Sequence, residues 1–363
     1  MFLWLFYPEN DIALANNTTN FTAPPAAVKL QRSGEILPLW MCSPADRVFC
    51  NGVNARWLEN IQRQFNIEAD VWNHEDFSLS PTPWGWSKAS RKIFAQNGFP
   101  ASSLPSDAQL ATYRNLSHRR TASILSQKLA AQLDFPIWPA AIESDNVEEV
   151  ERLIDQYGKI VVKAPWSSSG RGVKFIDSPK SLQQIAGTIR KQGSVMVEQF
   201  APEHFDFALL YYCSDGKAEF QGYSVFESDT DNASYKGNIV APQEELKQII
   251  DSKSSASQLA QIIPAIESIL SSIVADKYSG PVGVDMFYSG SGLFHVVELN
   301  LRYTMGFVAL GLARYVNAKS VFRVELGDTT SQCIPIIEND KLIAGKLALT
   351  PPGGDFTFTL SVE

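Results

Sequence analysis

The segment that constrains the fold most strongly is a lysine that precedes, rather than follows, a loop rich in serine and glycine. It reads VVKAPWSSSGRGV, and Lys163 comes directly after an apolar pair. In a P-loop the lysine follows the glycines, and a dinucleotide-binding fold needs three spaced glycines that open a helix. Here only Gly170 and Gly172 are present, and the following VKFI is typical of a strand. If this loop binds phosphate, it does so as a strand–loop–strand flap.

Composition and charge exclude several classes of function. The chain has 363 residues, of which 45% are apolar, and its formal net charge is −8. Without a long basic run, this charge argues against a nucleic-acid partner. The four cysteines show no C-x-x-C spacing, which argues against zinc sites and disulfides and favours a reducing compartment. The short apolar start, MFLWLFYPEND, is typical of a buried strand, and no stretch approaches the roughly 18 to 20 apolar residues of a membrane span. We therefore expect a cytoplasmic protein without a membrane partner.

Periodicity predicts an alternation of strands and helices after a loop-rich first part. A helix is expected from Ser117, and a second one is expected to have Ser144 or Asp145 as its N-cap and to stop at Gly158. The runs KIVVKA, VKFI, VMVEQF, DFALLYYCS and AEFQGYSVF predict strands. The PEND segment follows the first strand, at the end where α/β folds place ligands, so Asn10 and Asp11 are candidate substrate contacts.

A hairpin near the C-terminal end carries a second signal. In GPVGVDMFYSGSGLFHVVELNLRY two strands flank an SGSG turn, with Asp285 in the first strand and Glu298 and Asn300 in the second. Strand alternation puts Glu298 and Asn300 on one face, and the hairpin brings Asp285 opposite them. Such oxygen ligands suit Mg²⁺ shared with substrate phosphates. A solvated polar face is the alternative, but the flanking residues are apolar. Arg302 lies on the same side and can meet an anion, whereas His295 is out of phase and is expected to face away.

These segments together resemble the ATP-grasp superfamily, which contains D-alanine–D-alanine ligase and other carboxylate–amine ligases. The resemblance rests on the strand lysine with its loop, on VMVEQFA, on Asp-x₁₂-Glu-x-Asn, and on ELNLR, in that order, and it extends from about Ser117 to Gly311. It implies a mixed α/β and α+β fold, in which two α+β subdomains grip ATP behind a small α/β domain. The implied units are residues 1–110, a small lid subdomain at 111–190, and a large subdomain at 191–363 with the metal hairpin and a C-terminal extension.

The resemblance also implies which residues bind the nucleotide. Lys163 would reach the α- and β-phosphates, and an earlier cation would be Arg119 or Arg120, with Arg119 preferred. Glu198 would begin the adenine-binding hinge, and Glu203 would bind the ribose hydroxyls. The loop over the phosphates would be Ser168, Ser169, Gly170 and Gly172, and the adenine edge would meet Gln199, Phe200 and Ala201. Asp285, Glu298 and Asn300 would bind one or two Mg²⁺, with Mn²⁺ as the alternative ion.

The implied activity is an ATP-dependent ligation of a carboxylate to an amine or a thiol. The carboxylate would attack the γ-phosphorus to give an acylphosphate, and the amine would then displace phosphate. Lys236 would approach the γ-phosphate, and Arg302 would hold the oxygens of the intermediate or the acceptor. Partners would be small molecules, and relatives are often homodimers. Two alternatives remain open, a kinase that stops after phosphoryl transfer and a nucleotide-binding protein without turnover.

Overall fold

The structure is a computed structural model that describes residues 1–167, 172–178, 182–228 and 235–362. Within these residues the strands form three sheets. The strands are β1 Phe2–Leu5, β2 Arg47–Val48, β3 Asp70–Val71, β4 Ser80–Pro83, β5 Ile142–Ser144, β6 Ile160–Lys163, β7 Val173–Ile176, β8 Val195–Gln199, β9 His204–Ser214, β10 Lys217–Ser228, β11 Tyr235–Val240, β12 Gly280–Ser289, β13 Phe294–Asn300, β14 Ser320–Leu326, β15 Pro335–Glu338, β16 Lys341–Ala348 and β17 Phe356–Val362. The helices are α1 Asn10–Asn16, α2 Pro25–Gly34, α3 Ala55–Phe65, α4 Lys88–Gln96, α5 Asp107–Leu116, α6 Arg120–Gln132, α7 Val147–Tyr157, α8 Gln183–Gln192, α9 Gln243–Lys253, α10 Ala256–Leu270 and α11 Met305–Leu312.

The N-terminal sheet is parallel, in the order β3-β2-β1-β4. Its central strand β1 buries Leu3 and Leu5 on one face and Trp4 on the other, as expected for a strand covered on both faces. The chain leaves the carboxyl end of β1 and enters α1 at Asn10. In open parallel sheets this end faces ligands, so the first turn of α1 is directed towards the site described below.

The second sheet is antiparallel, in the order β5-β8-β6-β7, and contains the predicted flap strands. Lys163, at the end of β6, pairs with Val173 of β7 and with Met196 of β8. Because β8 belongs to this sheet, the small unit continues beyond residue 190, where the sequence suggested its end. Helix α7 begins after Asn146, whose side chain caps the helix, rather than at Ser144 or Asp145, because Ser144 still belongs to β5. It ends at Gly158 as predicted.

The third sheet has nine strands in the order β13-β12-β9-β10-β11-β14-β17-β16-β15, all antiparallel to their neighbours. Helices α6, α9 and α10 cover one part of it. The stretch Ala256–Ala275 is long and apolar enough to resemble a membrane span, with a mean hydropathy of 1.4, so the sequence-based exclusion of such a stretch was wrong. Its residues Leu259, Ile262 and Ile266 are buried in the core that this sheet forms, and 39% of the apolar window is buried.

The C-terminal strands also complete the N-terminal domain. One apolar core runs from Leu3 and Phe6 of the N-terminal sheet to Phe322 and Phe358 of the large sheet. The Phe6 and Phe358 ring centroids lie 5.9 Å apart. Gly34 lets them approach, because a Cβ at this position would lie 2.5 Å from the Phe6 ring. The N-terminal domain and the large sheet therefore pack as one unit around the cavity described below.

Candidate active site

The three predicted metal ligands lie side by side on the β12–β13 hairpin. Asp285 is the cross-strand partner of Glu298, and Asn300 is the partner of Gly283. The Asn300 Nδ2 donates to Asp285 Oδ2 at 3.0 Å, and the Arg302 guanidinium donates to Asn300 Oδ1 at 2.9 Å. The amide oxygen therefore faces Arg302, and the amide must rotate before this oxygen can join the two carboxylates at a cation.

The electrostatics of the hairpin fit a divalent cation. Burial, followed by the negative charge of Glu298, raises the pKa of Asp285 to about 7. A positive ion between the two carboxylates would relieve this repulsion. Within the described residues, no three His, Cys, Asp or Glu side chains converge as a metal cluster. The donor set is thus two carboxylates and one amide oxygen, which suits Mg²⁺ that takes its other ligands from phosphates and water.

His295 faces the hairpin acids, which corrects the expectation that it points away. Between Asp285↔Glu298 and Met286↔Val296 the register shifts, which leaves Val297 as a β-bulge. A bulge adds one residue and so reverses the alternation that follows. His295 therefore shares a face with Glu298, and its Nε2 lies 3.4 Å from Glu198 Oε2.

Lys163 and Glu198 form a buried ion pair between neighbouring strands. The Lys163 Nζ lies 2.8 and 2.7 Å from the two carboxylate oxygens of Glu198. Burial alone would raise the pKa of Glu198, but the Lys163 ammonium and the His295 ring hold it well below its usual range. Both side chains are less than 10% exposed. The two opposite charges therefore interact in an environment of low dielectric constant.

Arg119 connects the flap to the hairpin. Its guanidinium lies 2.7 Å from Glu298 Oε1 and also donates to the Ala164 carbonyl and to Ser167 Oγ. Its Nε is buried and has no partner within the described part of the chain. Arg120 instead is half exposed and pairs with Glu143. The geometry thus supports Arg119, rather than Arg120, as the earlier cation.

The described part of the flap explains one of its glycines. The Ala164 N–H donates to the Gly172 carbonyl at 2.8 Å. A Cβ on Gly172 would lie 2.4 Å from Ser167, so only glycine fits at this crossing. The loop residues Ser168, Ser169 and Gly170 lie outside the described residues.

The segment after β8 is only partly arranged as an adenine-binding hinge. The Phe200 N–H already donates to the Lys159 carbonyl at 3.2 Å, so this N–H does not face a nucleotide. Ala201 is buried against Trp138 and Phe287. Gln199 ends β8, and Glu203 is exposed with its carbonyl bound to the Gly290 N–H.

Arg302 ties the hairpin to the N-terminal domain. Its guanidinium lies 2.8 Å from Asp11 Oδ2 on α1. This contact joins residues 291 positions apart, and it places the predicted substrate contact Asp11 beside the metal hairpin.

Lys236 lies in β11 with an exposed side chain.

A cavity of about 480 Å³ opens beside the hairpin acids. Asp285, Glu298 and Arg302 line one wall, Ser167 of the flap reaches it, and Glu9 of the N-terminal domain lines another wall. This volume is within the range of small-molecule sites. The cavity thus adjoins both the predicted metal ligands and the base of the predicted lid.

Sequence reasoning missed three residues of this site. His295 was misplaced because a one-residue bulge cannot be seen in the alternation. Asp206 of β9 is the register partner of Phe287, and burial raises its pKa, partly offset by His204. Glu9 belongs to the PEND segment, where only its two neighbours were proposed. Its position directly after a buried strand was the available signal.

Comparisons with known proteins give one relative by sequence and several by structure. No family model matches the chain. The chain is 22% identical over 200 residues to the [butirosin acyl-carrier protein]–L-glutamate ligase of Niallia circulans, an alignment that covers 54% of this chain and 45% of that ligase. The match therefore spans less than half the length of this curated relative.

Two solved structures are similar over nearly the whole chain. The beta-gamma-ATP complex of Campylobacter jejuni biotin carboxylase matches with a TM-score of 0.55 at 13% identity, over 99% of this chain and 86% of that one. The ADP complex of N5-carboxyaminoimidazole synthetase from Staphylococcus aureus matches with a TM-score of 0.52 at 13% identity, over 92% and 91%. At these identities the likeness shows the fold, and it confirms the fold predicted from the motifs.

Proposed function

Because the chain has the ATP-grasp fold, we propose that it is an ATP-dependent ligase. It joins a carboxylate to an amine or a thiol through an acylphosphate and releases ADP and phosphate. One observation carries the proposal: Lys163, Arg119 and the hairpin acids come together from distant parts of the chain, beside a small-molecule cavity. Fold alone does not give a function, but this arrangement supplies both the charges and the space that the reaction needs.

The residues are suited to binding phosphates and a metal. Asp285 and Glu298, with the Asn300 oxygen after rotation, would hold one or two Mg²⁺, with Mn²⁺ as the alternative. The bound ion would neutralise phosphate charge and align the reacting groups. Lys163 can turn from Glu198 to the phosphates, and His295 then remains 3.4 Å from that carboxylate. Arg119 can likewise exchange Glu298 for phosphate once the carboxylate binds the metal.

The remaining proposed roles concern the substrate side. Arg302 lines the cavity while Asp11 fixes its guanidinium, and rotation of the Asn300 amide would release an Nη2 hydrogen that can hold an oxygen of an acyl intermediate. Lys236 is proposed to approach the γ-phosphate. We also propose that the nucleotide contacts Gly172, Gln199, Ala201 and Glu203. The same role is proposed for three loop residues outside the described part of the chain, Ser168, Ser169 and Gly170.

The relative's name suggests the first substrates to test. Its name pairs an acyl-carrier protein with L-glutamate. We propose to include L-glutamate and acylated carrier protein in the first panel, together with small carboxylates and alkylamines. We further propose a cytoplasmic enzyme, and a homodimer that light scattering would detect as twice the 40.2 kDa chain mass.

ADP release, measured with matched sets of substrates, tests the proposal. Release that requires both a carboxylate and an amine or thiol supports the ligase. Release with a single hydroxyl substrate identifies a kinase, and tight ATP binding without release identifies a binding protein. The Lys163→Ala variant controls for contaminating ATPases, because it should abolish any release that belongs to this site.

A further inference from the structure

The cavity beside the hairpin contains a buried carboxylate that the proposed reaction has not yet used. Glu9 is only 3% exposed, yet it lines the cavity. Its Oε2 is shielded from solvent and has no hydrogen-bond partner within the described part of the chain. The neighbouring Asn10, 1% exposed, has an unpartnered Oδ1 as well. Two buried acceptors without donors thus follow each other in the chain, and Glu9 is the one that lines the cavity.

Such acceptors are costly unless something donates to them. Burying a polar group without a hydrogen bond is unfavourable, and a carboxylate is worse than an amide. Burial accordingly raises the pKa of Glu9 to about 7. The nearest charged groups on α1 and the hairpin do not relieve it, because Asp11 and Arg302 are paired with each other. A molecule in the cavity towards which the Glu9 carboxylate turns would supply the missing donor.

The other lining residues of the cavity indicate the chemical character of the rest of that molecule. Apolar side chains line it from α1, α2, the large sheet and α11, among them Ile12, Leu30, Phe226, Met305, Val324 and Phe356. Tyr235 and Asn238 also reach the cavity, but Tyr235 donates to Asn238 and Asn238 donates to Ser224, so these polar groups already have partners. The cavity therefore offers the unsatisfied acid of Glu9, an apolar stretch of wall beside it, and the hairpin acids with Arg302 on another wall.

We propose that this cavity binds a primary amine with an apolar body, and that Glu9 receives the N–H groups of that amine. Only the identification of this amine as the acceptor of the ligase rests on the function proposed above. Glu9 then determines specificity: it selects a nitrogen donor over a neutral oxygen and directs the amine into the cavity that Asp285 and Glu298 also line. An acid at this wall also disfavours acceptors that carry a carboxylate at the same end.

The test measures binding rather than turnover. n-Butylamine and 1-butanol, which share an apolar body, are titrated into the full chain by ligand-observed NMR at pH 8. The wild type is expected to bind the amine at least about tenfold more tightly than the alcohol. In Glu9→Gln this preference is expected to fall to about unity, while Glu59→Gln, a change at an exposed helix position, retains it. Because the buried carboxylate of Glu9 destabilises the protein without ligand, the melting temperature of Glu9→Gln is expected to be no lower than that of the wild type.

A second variant locates the site independently of Glu9. Ala26 lines the cavity from the exposed first turn of α2, so Ala26→Phe should fill the cavity without disturbing the core. It is expected to weaken both ligands. Equal binding of amine and alcohol to the wild type, an unchanged preference in Glu9→Gln, or unaffected binding in Ala26→Phe would each overturn the inference. If amine binding behaves as expected but ADP release never requires an amine or a thiol, the ligase proposal fails and this site stands.

Discussion

The central charges of the site are held by partners within the protein. Lys163 and Glu198 are buried together, with His295 beside them. A buried pair of this kind adds little net stability, but removal of one partner leaves an uncompensated charge. Loss of stability and loss of nucleotide binding after a Lys163 substitution must therefore be separated.

A double substitution separates the two effects. We expect Lys163→Met to lower the free energy of unfolding by about 3–5 kcal/mol, because Glu198 loses its counter-ion. Lys163→Met combined with Glu198→Gln should recover most of this loss, since no buried charge remains, yet it should not recover ATP binding. Urea denaturation and ATP titration of the same samples measure both quantities. Recovery of ATP binding in the double variant would remove Lys163 from the phosphate site.

The protonation of Asp285 gives a pH-dependent stability. Burial and the charge of Glu298 raise its pKa from 3.8 to about 7 in the folded chain. Between these values the folded state binds the proton that the unfolded state has lost, so the free energy of unfolding falls as pH rises from about 4 to 7. Asp285→Asn should lack this contribution and gain stability relative to the wild type over that interval, on the order of 1 kcal/mol or more.

Urea midpoints at several pH values, without added metal, measure this difference. The exposed Asp340→Asn serves as the matched control and should run parallel to the wild type. A constant offset between Asp285→Asn and the wild type from pH 4 to 7 would contradict the assignment.

At the scale of elements, regular patterns were predictable and their interruptions were not. Alternation and flanking turns gave β6, β7 and the β12–β13 hairpin, and so the placement of Lys163, Asp285 and Glu298. The same rule misplaced His295, because the bulge at Val297 depends on how two strands pair. The start of α7 was missed for a related reason, since pairing of β5 with β8 keeps Ser144 in a strand.

The bulge makes a prediction about single-residue deletions. Removal of Val297 leaves Glu298 and His295 two positions apart, on the same face they now share. Removal of Leu299 instead moves Asn300 to the opposite face from Glu298. We therefore expect deletion of Val297 to keep MgATP affinity within about threefold and deletion of Leu299 to reduce it at least tenfold. Calorimetric titration of MgATP measures both affinities, on variants whose folding has been checked by circular dichroism. Equal losses of affinity in the two variants would show that the bulge does not position these side chains.

At the scale of the whole molecule, contacts between distant parts of the chain build the site. The Asp11–Arg302 pair and the Phe6–Phe358 contact each join the two ends of the sequence. Neither could be predicted, because no local pattern specifies which distant surfaces meet. These contacts bring the N-terminal wall of the cavity, which includes Glu9, up to the hairpin.

This shared core predicts that the two ends unfold together. Phe358 is fully buried between the N-terminal domain and the large sheet. Phe358→Ala should lower the free energy of unfolding by about 3–5 kcal/mol, and tryptophan fluorescence of the N-terminal domain should report the same shifted midpoint as far-UV circular dichroism. Two separate transitions would mean that the N-terminal domain is stable without the C-terminal strands.

The proposed activity depends most directly on the nucleotide site. Calorimetric titration of ATP with Mg²⁺ into the wild type, Lys163→Ala, Glu298→Gln and the exposed control Glu59→Gln tests it. We predict a dissociation constant on the order of micromolar for the wild type and the control, weakened at least tenfold by each of the two site substitutions. Absence of binding to the wild type, or equal affinity in all four proteins, would contradict the proposal that these charges bind ATP.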